Sequence, residues 1–348
     1  MKKTLPYFAF FCIVITCIFS SECAQSAKGA LDICLYTLLP SLFPFFVFAR
    51  IFILSGGAAS FSKKLSFLTK PLFNMSGNAA APAILGILCG YPVGAKSAAE
   101  LYGEGAISKS EAQRLCGFCN NSGPLFLIGA VGCGMLSSPS AGYLLYAVHI
   151  LSALTVGVLF RGKYSPTLCS TKSVDICENI FVTAVEDSVT TLLNVFGYVI
   201  IFSVVTAFFK NPFLIGFFEI TNAISKISAS DFPLYQKFIF AAVLSSWGGV
   251  CVHMQTFGIL SKYNLSFKKY LFSKLIHAFI AFVYAVLAIK IIPVPFKTFS
   301  SSFEKYAFSL NFASLVCVII LGIYLFYLNI IIIKNNAEKH GGKAAKKL

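Results

Sequence analysis

The feature that most limits how this chain can fold is a series of apolar runs, each near the length needed to cross about 30 Å of hydrocarbon. They are Leu5 to Ser20, Leu35 to Leu54, Phe118 to Leu136, Ala141 to Phe160, Val182 to Phe209, Phe238 to Leu260, Leu271 to Ile292 and Phe308 to Ile333. The whole composition agrees, with 57% hydrophobic residues, 12% charged residues and a mean hydropathy of +0.80. Lipid offers no water to an exposed backbone, so runs of this kind close their hydrogen bonds as helices. The expected fold is all-α: a polytopic helical membrane protein of about eight transmembrane helices, with no soluble domain of consequence.

A net charge of +15 would suit a nucleic-acid binder, but the basic residues are not placed for one. Lys2, Lys3, Lys63, Lys64, Lys70, Arg161 and Lys163 flank apolar runs, and the rest of the excess sits in the tail from Lys334 to Lys347. Basic flanks are topogenic and face the cytoplasm. Both termini are therefore expected inside, in a multi-pass protein of the plasma membrane whose tail touches anionic lipid headgroups. Membrane lipids are expected partners and nucleic acid is not. The first run has a basic start and small residues beyond, in SSECAQSA. Glu22 and Ser20 do not suit lipoprotein processing at Cys23, so an uncleaved first helix is the reading and a cleaved signal peptide the alternative. The twelve cysteines lie mostly inside apolar runs, where they act as small apolar residues. Cys116 and Cys119 make a lone C-x-x-C with no second pair or histidine cluster to support a metal or redox role.

One stretch does not belong in a bilayer. Gly86 to Pro124 reads GILCGYPVGAKSAAELYGEGAISKSEAQRLCGFCNNSGP, between plainly apolar segments. Polar, glycine- and proline-broken backbone is tolerated at membrane depth only where protein or a watered cavity surrounds it. With both ends inside, the number of crossings is even, and the segment Pro82 to Tyr102 is then re-entrant. Ser108 and Glu111 have capping-box spacing for a helix that follows.

A weaker copy of the same plan follows. ALDICLYTLLPSLFPFFVF from Ala30 lines up with AVEDSVTTLLNVFGYVIIF from Ala184, with Asp32 opposite Glu186 and Pro40 opposite Asn194. LCGYPVGAKSAA from Leu88 is echoed by LSSWGGVCVHMQ from Leu244, and Ile107-Ser108 by Leu265-Ser266. Matching interrupted helices in two halves point to a transporter-like site. The chain divides into an N-terminal helix (1–29), a first repeat (30–165), a second repeat (166–335) and a basic tail (336–348). If the broken segment re-enters in both halves, each half crosses three times and the repeats are inverted. One N-terminal helix plus two such halves makes seven, which the sequence alone does not reconcile with eight.

ILCGYPVGAKSAAELYGEGAISKSEAQRLCGFCNNSGPLFLIGAVGCGML resembles the nucleoside-recognition (Gate) domain, and together with TLLPSLFPFFVFARI it is similar to the YlbJ family of sporulation integral membrane proteins. The resemblance is strong over Ala30 to Leu136 and loose beyond. It implies a role in spore cortex or envelope formation, and sporulation membrane proteins as partners. Gate modules also occur in nucleoside and ferrous-iron transporters, so the resemblance alone does not make a nucleoside the ligand.

The candidate substrate-binding residues follow from chemistry. Asn120, Asn121 and Ser122 offer donors and acceptors beside Gly123 and Pro124, which open the backbone. They bind a solute or ion, or else they are polar glue between helices. Gly90 and Pro92 end one short helix and start another, whose first turns carry Lys96 and Glu100 on one face. That pair serves a site, or Lys96 merely snorkels and pairs with Glu100. In the second half Asn194, Trp247, His253 and Gln255 are the counterparts, with an interfacial belt for Trp247 and packing for His253 as the plain alternatives. His149 and His277 are isolated in sequence and give no metal site. No cofactor motif is present, and neither a Walker loop, H-E-x-x-H nor G-x-S-x-G supports an enzyme. Two functions stay open: a transporter-like protein moving a polar solute, with a nucleoside-like compound as a candidate, and a non-transporting scaffold for spore envelope assembly.

Overall fold

The computed structural model describes residues 4–57, 66, 67, 69–162 and 179–292. The expected span Phe308 to Ile333, the tail and the repeat boundary at 165/166 lie outside those residues. Among the described residues all regular structure is helical.

The chain begins with α1 (Leu5–Ile18), which has no buried residue, and turns by 94° into the stretch Ser20–Leu38. That stretch contains α2 (Ser20–Ile33) and a π-helical segment, Cys34–Leu38, which leads into α3 (Leu39–Leu54). The widened turn has a cause in sequence: Pro40 has no N–H, and its ring displaces the carbonyl one turn back. The boundary expected at residue 29 thus falls inside a helix, α2.

Next come α4 (Ala80–Leu88) and α5 (Val93–Gly103). Eight residues along a straight helix span about 12 Å. Here a Cβ built on Gly94 would lie 2.8 Å from the Cα of Gly86, so the two helices fold back on each other as a hairpin. The re-entrant reading of Pro82 to Tyr102 has this hairpin as its physical basis. Then α6 (Lys109–Cys119) opens with the expected capping box, the Ser108 hydroxyl accepting from Glu111 N–H and the Glu111 carboxylate accepting from Ser108 N–H at 3.0 Å. After Asn120–Pro124 the chain resumes as a π-helix, Leu125–Met135, followed by α7 (Pro139–Leu159). The expected span Phe118 to Leu136 is therefore interrupted near its start. Pro124 and three nearby glycines do not sustain regular α-helix there.

The second half has α8 (Ile180–Thr206), then α9 (Pro212–Phe218) and α10 (Ile220–Ser228) joined by the single extended residue Glu219. Gly216 and Ala223 face each other across this joint, which makes a second hairpin. α11 (Leu234–Trp247) and α12 (Gly249–Lys262) are halves of one broken helix, parted by Gly248 at φ +89°, and α13 (Phe267–Ile291) follows. Long helix, hairpin, broken helix, long helix is the order in both halves. The sequence echo between LCGYPVGAKSAA and LSSWGGVCVHMQ is corrected by this order. The first is a hairpin tip and the second a helix break, so Gly90 corresponds to Glu219 and Asn120–Pro124 to Trp247–Gly249. Ser108 and Ser266 both cap helices, but Ser108 opens half a broken helix and Ser266 a continuous one.

Among the described residues four helices are long and apolar enough to cross a membrane: α7, α8, Leu234–Lys262 and α13; the bent pair at the N-terminus would be a fifth. Of the eight expected runs, Phe308 to Ile333 lies outside the described residues, and breaks leave pieces such as Leu42–Leu54 and Leu125–Met135 below crossing length. α7 and Leu234–Lys262 are 61% buried against 28% for α8 and 33% for α13, so the first two form the centre of the bundle. α8 and α13 turn Phe181, Leu193, Phe272 and Phe279 outward, as lipid-facing helices do.

Candidate functional site

Each hairpin tip is seated on a broken helix. In the first half Gly90 has φ +78°, and a Cβ there would come 2.7 Å from the backbone N of Gly123. Tyr91 N–H donates to the Asn121 carbonyl at 2.6 Å, and a Cβ on Gly86 or Gly94 would collide with the Cys119 carbonyl. Small residues are thus required on the whole face that meets the break. In the second half Gly249 has φ +75° and its missing Cβ would sit 2.9 Å from the Phe218 carbonyl, while the Trp247 indole N–H donates to the Phe217 carbonyl at 3.1 Å.

Between these junctions lies a continuous buried polar network. The Asn120 amide donates to Thr256 Oγ1 at 2.9 Å and Tyr270 OH at 3.0 Å, and Tyr270 OH meets His253 Nδ1 at 3.1 Å. The Asn120 carbonyl accepts from Lys274 Nζ at 2.9 Å, and the same ammonium meets His277 Nδ1 at 2.9 Å. His277 Nε2 reaches the His149 carbonyl at 3.1 Å, His149 Nε2 accepts from Ser122 N–H at 2.9 Å, and His149 Nδ1 meets Ser246 Oγ at 2.9 Å. Ser122 Oγ donates to the Ser245 carbonyl. The freed backbone of the first break is therefore satisfied by Lys274 from the second half and by His149 from its own half, and Ser122 of that break reaches the Ser245 carbonyl beside the second.

Not every group is satisfied. Asn120 Oδ1, Asn121 Oδ1, Ser245 Oγ, His253 Nε2 and Gln255 Oε1 are buried without a hydrogen-bond partner among the described residues. Each such group costs about 1–3 kcal/mol, and all five lie in the segments that form or adjoin the two breaks. Beside them is a cavity of about 30 Å³, room for a water, lined by Gly90, Tyr91, Gly123, Glu219, Cys251 and Gln255 among others. Glu219 is buried there with both carboxylate oxygens accepting backbone N–H groups, Thr221 at 2.8 Å and Asn222 at 2.7 Å.

Comparison with known proteins bears on these same elements. The Gate family model, described as nucleoside recognition, matches residues 35–125, which include the first hairpin tip and the Asn120–Pro124 break. The chain is also 30% identical over 336 residues to the sporulation integral membrane protein YlbJ of Bacillus subtilis (strain 168), with 82% of each chain covered. The chain belongs to the YlbJ family. No solved structure matches it.

For this YlbJ-family chain the structure sorts the expected residues into groups. Asn120, Asn121, Ser122, Gly90 and Pro92 are buried together at the first junction, and His253 and Gln255 reach it from α12. Trp247 stands at the second junction, stacked on Phe217 at 5.6 Å and edge-on to His253 at 4.3 Å. Lys96 and Glu100 lie elsewhere. Lys96 Nζ donates to Thr191 Oγ1 at 3.2 Å, and Glu100 pairs with Arg50 at 3.0 Å, which also holds Asp187 at 2.6 Å. The expected Lys96–Glu100 pair is corrected accordingly: a guanidinium from α3 binds two carboxylates at once, which an ammonium does less well. Asn194 is exposed on α8 and joins neither group.

Sequence reasoning passed over Lys274, Tyr270, Thr256 and the two histidines His149 and His277, whose rings are 4.8 Å apart. One signal was available: Lys274 and His277 sit one turn apart in the middle of the apolar run LFSKLIHAFIAF, where an ionisable residue marks function by default. No group of three or more His, Cys, Asp or Glu capable of holding a metal occurs among the described residues.

Proposed function

We propose that this chain binds a polar solute at the junction of Asn120–Ser122 with the Gly90–Pro92 tip and moves it across the plasma membrane during spore formation. The unpartnered acceptors Asn120 Oδ1, Asn121 Oδ1 and Gln255 Oε1 carry this reading. They call for a ligand rich in N–H and O–H donors, as the hydroxyls and exocyclic amines of a nucleoside are. The match to a nucleoside-recognition model over the same backbone supports that class of solute, and the relative's name supports the setting. A cavity of about 30 Å³ is too small for such a ligand, so the structure corresponds to a closed state. Opening would come from one half (30–165) rocking against the other (166–335), each inverted repeat crossing three times and the second doing so before the apolar run Phe308 to Ile333. The N-terminal helix and the C-terminal apolar run then complete eight crossings and leave both termini in the cytoplasm. Membrane lipids and other sporulation membrane proteins are its partners in this account, and it is a binding and transport protein rather than an enzyme.

Asn120→Ala and Asn121→Ala test the reading. Each should cut uptake of radiolabelled nucleosides by about tenfold, the value of one good hydrogen bond, while the protein remains folded and at the membrane. Full complementation of a deletion strain by both variants, with unchanged uptake, would sink the site and favour a scaffold.

A further inference from the structure

Lys274 is buried at 2% exposure in the middle of α13, and no carboxylate accompanies it. The titratable groups that face it are His277 and Tyr270 from its own helix, His149 from α7, Cys119 with Cys116 from α6 and His253 from α12; α11 contributes Ser246 to His149 and no titratable side chain. The hydrogen-bond partners fix the protonation of both neighbouring histidines. Ser122 N–H can only donate, so His149 Nε2 is bare and its proton is on Nδ1, given to Ser246. The His149 carbonyl can only accept, so His277 carries its proton on Nε2, and its Nδ1 is left to accept from Lys274. His149 gains no proton without losing its bond to Ser122 N–H, and His277 gains one on Nδ1 only by giving that hydrogen to a neutral Lys274.

Lys274 is different. Its two acceptors, the Asn120 carbonyl and His277 Nδ1, use two N–H groups, which a neutral amine also possesses. The third N–H of the ammonium has no acceptor among the described residues. Lys274 can therefore release one proton and keep every bond the structure shows. The carbonyl it holds belongs to Asn120, whose side-chain oxygen is one of the unpartnered acceptors. A charged donor pulls harder on that carbonyl than a neutral one, so the charge of Lys274 and the clamping of the break are linked. A proton also needs no room, where a metal cation or an anion would.

Building on the transport reading above, we propose that Lys274 is the proton carrier of that cycle. When the site opens to one side, the Nζ lone pair takes a proton from hydronium, whose O–H bond breaks to leave water. When it opens to the other, that N–H bond breaks, the electron pair stays on Nζ and water takes the proton.

The test is the protonation state of Lys274 in the full chain, labelled with 15N-lysine and held in lipid nanodiscs. The Nζ resonance is assigned by its loss in Lys274→Arg, or in Lys274→Met if the arginine variant does not fold. Lys274 should change between ammonium and amine within about pH 5 to 9, a range buried lysines reach, while loop lysines stay charged. An Nζ that remains an ammonium throughout overturns the inference and leaves the transport reading standing. In liposomes, uptake of labelled uridine and adenosine should rise under an inward proton gradient, and Lys274→Arg should lose that stimulation. Uptake that responds to sodium and ignores the proton gradient would also overturn it. If Lys274 titrates but neither nucleoside is taken up, the proton site stands and the nucleoside reading fails.

Discussion

Gly86, Gly90 and Gly94 show how far single atoms decide this structure. A Cβ at Gly86 or Gly94 would strike the Cys119 carbonyl, and Gly90 combines a left-handed φ with the closeness of Gly123. Gly86→Ala should destabilise the protein by about 1–3 kcal/mol or more, as overpacking does, and should lower its melting temperature in detergent. Gly197→Ala, with open space around it, should melt as the wild type does or slightly higher. Equal melting of the two variants would contradict the seating of the tip on the break. At this scale the sequence was informative where a residue type was out of place. Asn120, Asn121, Ser122 and Gly90 are polar or small in an apolar chain, and they meet in space. Lys274 was equally out of place, yet in a list of basic residues it looks like any topogenic lysine. The partner of Glu100 was not legible because it is set by packing: Arg50 comes from a helix fifty residues earlier.

Hairpins and breaks are the elements on which the account rests, and they belong to each other in pairs. A helix end at membrane depth needs partners for its last carbonyls and first N–H groups. Tyr91 and Trp247 each donate across such a junction. The Arg50–Glu100–Asp187 cluster ties α3 to α5 and α8 at some distance from the polar network. Its members are a fifth to a third exposed, with side-chain values of 21%, 19% and 36%. Screening by solvent therefore limits each pair to about 0–1 kcal/mol. Arg50→Ala, which removes both pairs, should lower stability by no more than about 2 kcal/mol and leave nucleoside binding intact, as measured by melting and by direct binding. Loss of binding in Arg50→Ala with normal melting would move the site toward Lys96 and Glu100. The duplicated order was legible in part. The paired long helices at Ala30 and Ala184 stand in equivalent places, but a glycine beside an aromatic does not reveal whether it forms a tip or a break. That distinction depends on which segment folds against it, roughly thirty residues away.

Over the whole molecule, two halves of the same plan enclose one polar network, and the break at Asn120–Pro124 is held by side chains of both. α12 supplies Thr256 and α13 supplies Tyr270 to the Asn120 amide, α13 also supplies Lys274 to the Asn120 backbone carbonyl, and α7, of the same half, supplies His149 to Ser122. Motion of one half against the other must therefore exchange these bonds for others, and a ligand with suitable donors lowers the cost. The all-helical membrane fold was evident from hydropathy alone, because length and apolarity fix it. The closed cavity was not, since its size depends on how tightly the glycine faces meet. The most direct measurement is the melting temperature of the purified full chain, screened against nucleosides, peptidoglycan precursors and divalent metals. At least one nucleoside should raise it, and Asn121→Ala should abolish that rise without changing the unliganded value. No shift with any of these compounds would contradict a solute site at the broken helices.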